Sequence, residues 1–329
     1  MRFSSRKSSC RAIVSPAVRA RSVLPRPHPS IVTVLITIVV SFLSVNSLRA
    51  QSTSHDRAFW RSIAANKYAV PEHESADALA QELTALLASP DSELRDDLAY
   101  SILTRWIYSR SKILSTPALL SLTDEWRANL KSGIGESGTE TVLKRSFSAL
   151  MLSSMARREA KVPFMGAERY HQLVAEAAAY LQAERDLRGY DPALHWIHAT
   201  AHTADLLGAL ADNSLLTRDE GAAILSAIDN RLATAPEVYT QGEQDRLADA
   251  VALVIRRADF DVSSFDPWLK RIQHEDRDVW TATSLQTLAR YQNHNYMLRS
   301  LVVKLSLEPD SPVLAGFRKQ VFDVLKTRE

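Results

Sequence analysis

Leu94, Leu98, Ile102 and Trp106 recur every fourth residue through the run S-E-L-R-D-D-L-A-Y-S-I-L-T-R-W-I. That spacing gathers apolar side chains into one stripe of a helix, and it leaves a strand, which needs alternation, no face to bury. The rest of the chain beyond its leader keeps to the same rule. It is rich in Ala, Leu, Arg and Glu, has few alternating β-branched runs, and the whole sequence holds only nine glycines. We therefore expect an all-α fold of ten to twelve helices joined by short loops, such as residues 131–138, 163–166 and 189–192. Start signals agree: Asp91 precedes the first run, Thr116 stands as a cap before Pro117, and Thr217 with Glu220 has capping-box spacing.

The expected plan is a stack of antiparallel helical hairpins. L-A-S-P-D-S-E-L-R-D-D-L-A-Y resembles the turn and second helix of a HEAT-type unit. No repeat of fixed length aligns along the chain, so an irregular helical bundle is the alternative to a HEAT-like array. No Gly/Ser-rich or Pro-rich linker divides residues 51–329, which are expected to form a single all-helical domain.

Residues 1–50 read as targeting. A basic region without Asp or Glu precedes residues 31–45, fifteen residues without charge, and Ala50 closes S-L-R-A before Gln51. This pattern predicts a signal peptide and an exported, periplasmic or extracellular protein. An uncleaved anchor in the inner membrane is the alternative, and residues 31–45 are then the only expected membrane contact, although a full span needs about 20 apolar residues. Cys10, the only cysteine, lies before that run, so the remainder has no thiol for a disulfide, a cysteine zinc site or a nucleophile. Eight of the 40 basic residues and none of the 38 acidic ones precede Gln51, which leaves the remainder at a formal net charge of −6. Nucleic acid, which needs a basic footprint, is not an expected partner.

Charge, aromatics and imidazoles concentrate in E-R-D-L-R-G-Y-D-P-A-L-H-W-I-H-A-T-A-H-T-A-D-L-L, residues 184–207. On one continuous helix, His198, His202 and Asp205 share a narrow arc with His195 at its edge, while Trp196, Leu206 and Leu207 face an apolar arc. An i, i+4 histidine pair with a carboxylate one turn on can bind a divalent metal or set up a general base. The Glu of H-E-x-x-H is absent, since Ala199, Thr200 and Ala201 stand between the histidines. The structural alternative is a buried network in which His198, His202 and Asp205 bond to Arg188, Tyr190 and backbone carbonyls. On that reading Asp205→Ala costs about 1 to 3 kcal/mol per group left unpaired. Glu184, Asp186 and Arg188 read as ion pairs at a helix end, with Gly189 as its left-handed terminator, or as a clamp for a charged ligand. Arg145, in mid-helix, is expected to reach an acidic partner or the same pocket. Tyr291, Asn293, His294, Asn295 and Tyr296 read as helix surface, or as the lining of a groove.

R-S-F-S-A-L at residues 145–150, E-R-D-L-R-G-Y at 184–190, W-I-H-A-T-A-H-T-A-D-L-L at 196–207 and A-R-Y-Q-N-H-N-Y-M-L-R-S-L at 289–301 together resemble a bacterial family known only as a domain of unknown function. The resemblance covers about residues 94–307. It implies a helical fold and marks Glu184, Asp186, Arg188, Gly189, Tyr190, Trp196, His198, His202 and Asp205. At His195 the family pattern carries glycine. The expected function is a non-catalytic binding or scaffold protein of the cell envelope with a protein or peptide partner and no cofactor. The alternative is a metal-dependent hydrolase, or a small-ligand-binding protein, using His198, His202 and Asp205.

Overall fold

The structure, a computed structural model, describes residues 55–281, 284–308 and 311–328. The expected leader, with its cleavage site, lies outside them. Among the described residues there are twelve α-helices: α1 Arg57–Ala65, α2 Ala76–Leu86, α3 Ser101–Tyr108, α4 Thr116–Asn129, α5 Thr141–Lys161, α6 Ala167–Ala183, α7 Ala199–Ala211, α8 Arg218–Thr234, α9 Glu243–Ile255, α10 Phe265–Glu275, α11 Leu285–Leu307 and α12 Pro312–Lys326. A two-stranded hairpin, β1 Tyr190–Asp191 and β2 His195–Trp196, is the only sheet described. The fold is all-α, and no described helix is long and apolar enough to cross a membrane.

The odd-numbered helices from α1 to α11 pack each on the one before it. α5, α7, α9 and α11 lie side by side in one layer, and α6 and α8 neighbour each other in the second. α4, α6, α8 and α12 cross-brace the layers against α5, α7, α9 and α11 respectively. The sequence of α7, A-T-A-H-T-A-D-L-L-G-A-L-A, explains its central place, because a helix that is apolar nearly all round must be covered on every side. All its residues except Asp205 are buried. Gly208 lets α9 approach it: a Cβ there would stand 3.0 Å from the Leu253 side chain and 3.6 Å from the Ala250 backbone. Trp60, Trp106 and Trp126 anchor the N-terminal helices in the same continuous core.

Local signals are mostly where the sequence places them. Leu98, Ile102 and Trp106 are buried and Leu94 packs beside them. The first half of that run, Glu93–Tyr100, is wound as a wide π-helix before α3 continues it. Thr217 and Glu220 form the complete capping box of α8. At α4 the cap sits one residue earlier than expected. Ser115 Oγ accepts from Ala118 N at 3.2 Å and donates to Asp77 Oδ2 at 2.6 Å, while Thr116 is already helical. Ser115→Ala should therefore cost about 1 kcal/mol in urea unfolding, whereas Thr116→Ala should stay within about 0.5 kcal/mol of the parent; the reverse order would put the cap back at Thr116.

Candidate functional site

Arg145 on α5 is wholly buried and all its donors are engaged. Its Nε and Nη2 donate to Glu184 Oε2 at 2.6 Å and Oε1 at 3.0 Å. Nη1 donates to the Ser132 and Gly133 carbonyls, both at 2.9 Å. Burial works against the guanidinium charge, but the Glu184 carboxylate outweighs it and holds the Arg145 pKa above its ordinary value. Glu184 also accepts the Tyr180 hydroxyl and the amides of Arg185 and Asp186, each at 2.9 Å. Burial, and then the adjacent Glu184 carboxylate, push the Tyr180 phenol well up.

Glu184 is not a helical residue: α6 ends at Ala183, and the chain leaves it extended. Asp186, also buried, accepts the Gly138 amide at 2.9 Å and Arg188 Nε at 2.9 Å. Arg188 reaches on to Asp191 and to the Thr139 carbonyl at 2.9 Å. Gly189 does not adopt a left-handed conformation, so its expected role as a helix terminator is corrected. It is needed for space, since a Cβ there would lie 2.8 Å from the Gln241 side chain and closer still to Glu243 Oε1.

The continuous helix expected through His195 and His198 is replaced by the hairpin. Tyr190 pairs with Trp196 and Asp191 with His195 around a three-residue turn. Asp191 Oδ1 accepts the amides of Ala193 at 2.8 Å and Leu194 at 3.0 Å, the local bond that makes Asp-Pro a turn former. His195 and His198 have φ of 59° and 49°, left-handed positions that no helix interior allows. His198 caps α7, and its carbonyl accepts from the His202 amide. The hairpin carries Tyr190 and Trp196 into solvent, each 45% exposed and packed edge to face at 5.0 Å.

Beneath it, Ser146 Oγ donates to the Ile197 carbonyl, so it must accept from His202 Nδ1 at 2.8 Å. This fixes the neutral tautomer of His202. Burial first, and then the neighbouring His198 and Arg246 side chains, push its pKa down to about 3. His198 is lowered by burial and by Arg246. Its Nε2 faces Glu243 Oε1 at 3.8 Å, and neither atom has a hydrogen-bond partner. Burial raises Glu243, so imidazole and carboxyl are both driven toward their neutral forms.

Asp205 stands apart. It pairs with Arg246, whose side chain is 48% exposed, and touches neither Arg188 nor Tyr190. The expected metal set of His198, His202 and Asp205 is therefore not assembled: His198 has left the helix, His202 Nδ1 is held by Ser146, and Asp205 is turned to α9. The expected single network through Arg188 and Tyr190 is likewise two networks, one around Arg145, Glu184, Asp186 and Arg188, the other around Ser146 and His202. Among the described residues, ligand atoms converge elsewhere, at Asp229, Glu275 and His294. Tyr291, Asn293, His294 and Asn295, expected on the surface, are buried, and only Tyr296 is exposed.

The family model described as a protein of unknown function, DUF2785, matches residues 130–303. The chain belongs to this family. The matched span runs from the end of α4 into α11 and holds every residue of the braced hairpin named so far. It is shorter at both ends than the expected 94–307. No curated protein and no solved structure matches the chain.

Sequence reasoning missed Arg95, which lies outside the family span. Buried in the π-helical segment, its guanidinium donates to the Leu194 carbonyl at 2.7 Å and to Ser89 O at 2.9 Å, 4.9 Å from the centre of the Phe147 ring. It placed a loop at residues 189–192 but missed the strand pairing on either side of it, which carries the turn on to Leu194.

Two predictions separate these networks. Glu184→Ala leaves Arg145 charged and buried and should destabilise by about 3 to 5 kcal/mol, while Asp205→Ala, losing a half-exposed pair, should cost less than about 1 kcal/mol. Equal losses in chemical denaturation would contradict the partition. For His202 the folded pKa lies below the unfolded value, so the unfolded chain takes up the proton first, and stability is lost as pH falls from about 6.5 toward 3. The stability gap between the parent and His202→Asn should accordingly narrow by roughly 1 kcal/mol between pH 6 and pH 5. A gap independent of pH would mean that the ring is solvated.

Proposed function

We propose that this family member is a non-catalytic binding or scaffold protein of the cell envelope, recognising a protein or peptide segment through the Tyr190–Trp196 hairpin. One observation carries the reading: two large aromatics, each 45% exposed, are held by a buried base of ion pairs rather than by a mobile loop. Aromatic side chains on a rigid support are the usual anchors of an interface, because their ordering cost is met in advance. Arg145, Glu184, Asp186 and Arg188, with polar atoms turned to one another, and His202, bonded to Ser146, serve as that support. The alternating two-layer packing of α5 to α9 favours a HEAT-like array, whose repeated faces suit an extended partner. Residues 51–329 act as one domain, and the basic, uncharged-run leader supports export.

A small polar ligand is the second reading, favoured by the unpartnered His198 Nε2 and Glu243 Oε1 beside Gly189. To test the first, a photo-crosslinking residue is placed at the exposed turn residue Ala193 in the native host, and the captured partner is purified and titrated against the full chain. Tyr190→Ala with Trp196→Ala should weaken binding by about 2 kcal/mol or more, with the melting temperature unchanged. Undiminished binding by that variant would overturn the proposal.

A further inference from the structure

Asp229 on α8, Glu275 at the last position of α10 and His294 on α11 come from segments far apart in sequence, yet one ligand atom of each lies within 4.8 Å of those of the other two. Asp229 Oδ1, Glu275 Oε2 and His294 Nε2 are buried and have no hydrogen-bond partner. The rest of these side chains is fixed. His294 is 0% exposed and its Nδ1 meets Asp276 Oδ2 at 2.9 Å, while Asp229 Oδ2 accepts Arg271 Nε at 2.7 Å. Asp276 is itself held by Arg290 at 3.2 Å and by Arg328.

We propose that Asp229, Glu275 and His294 form a binding site for a divalent metal cation of the zinc or manganese class. Two carboxylates and one neutral imidazole supply the two negative charges and the mixed oxygen and nitrogen donors that such ions take. A carboxylate on the far nitrogen of a ligating histidine is the recurring outer shell of these sites; here Asp276 takes Nδ1–H and turns the Nε2 lone pair to the cluster. Ligand atoms of a tetrahedral site with bonds of 2.1 Å stand about 3.4 Å apart, and the His294–Asp229 pair is at 3.5 Å. Glu275, half-buried, has the freedom to close the remainder. It also ends α10, so the negative end of the helix dipole adds to the attraction.

The competing account is a proton on His294 Nε2, balanced by Arg271, Arg290 and Arg328 around the carboxylates. A proton on Nε2 meets Asp229 Oδ1 only at a long 3.5 Å, and Glu275, which burial pushes toward its neutral form, then needs a second proton of its own. A cation serves all three atoms together.

The test uses the full chain, stripped with chelator, dialysed and titrated with zinc chloride and, separately, manganese chloride. Calorimetry should show saturable uptake of one ion per chain with a concentration-dependent rise in melting temperature. Glu275→Gln, which retains the shape of a half-buried side chain, should weaken the affinity by more than about tenfold, and His294→Gln should abolish it. Asp212→Asn, at a surface ion pair with Arg256 outside the cluster, should bind as the parent does. Absence of saturable binding of either ion by the parent, or parent-like affinity in Glu275→Gln, would overturn the proposal; if His294→Gln fails to fold, Glu275→Gln decides alone.

Discussion

A guanidinium and a carboxylate buried together are expensive to desolvate, and Arg145 with Glu184 is tolerable inside this protein only because no polar atom of the pair is left over. Meeting that demand fixes three pieces of backbone at once. The loop before α5 must present its carbonyls at Ser132 and Gly133, α6 must stop where Glu184 can turn back, and the next two amides must point at the same carboxylate. The chain then has no freedom to continue as helix. It crosses to Asp186, which ties down Gly138, and enters the hairpin already oriented. Much of the E-x-D-x-R-G-Y stretch is thus a geometric device, and its chemistry is spent on the fold rather than on solvent.

Interactions that repeat along the chain were readable in the sequence. The stripe of Leu98, Ile102 and Trp106 and the box of Thr217 and Glu220 rest on neighbours three or four residues away, and local spacing reports them faithfully. Where the sequence misled, a distant partner overrode local preference. Alanines and leucines after Trp196 continue a helical pattern, but His195 and His198 are forced left-handed because Gly189 must pass beneath Glu243 and hand its carbonyl to the Ile197 and His198 amides. The residues singled out at the start are mostly brought to one place, yet with other partners: Glu184 finds Arg145, His202 finds Ser146 and Asp205 finds Arg246.

The cluster of Asp229, Glu275 and His294 was illegible for a plainer reason. Three side chains on three helices have no common spacing, and an isolated His294 among Asn and Tyr residues has the same local pattern whether its face is wet or dry. Only the packing of α8 against α11 turns it inward. Charge balance could not reveal it either, because Arg271, Arg290 and Arg328 are as scattered as the acids they meet.

Arg95 ties the hairpin to a distant part of the chain. Most helices meet neighbours close in sequence, contacts that a growing chain can make quickly and locally. The bond from Arg95 to the Leu194 carbonyl instead closes a loop of 99 residues. Loop closure on that scale is entropically costly and is rewarded only once the intervening helices are in place. The bond therefore couples the hairpin to the N-terminal helices, so the aromatic tip is braced by the π-helical segment as well as by α5 and α6. Its two exposed rings are thereby held from both ends of the chain, and a change among the N-terminal helices reaches them through one guanidinium.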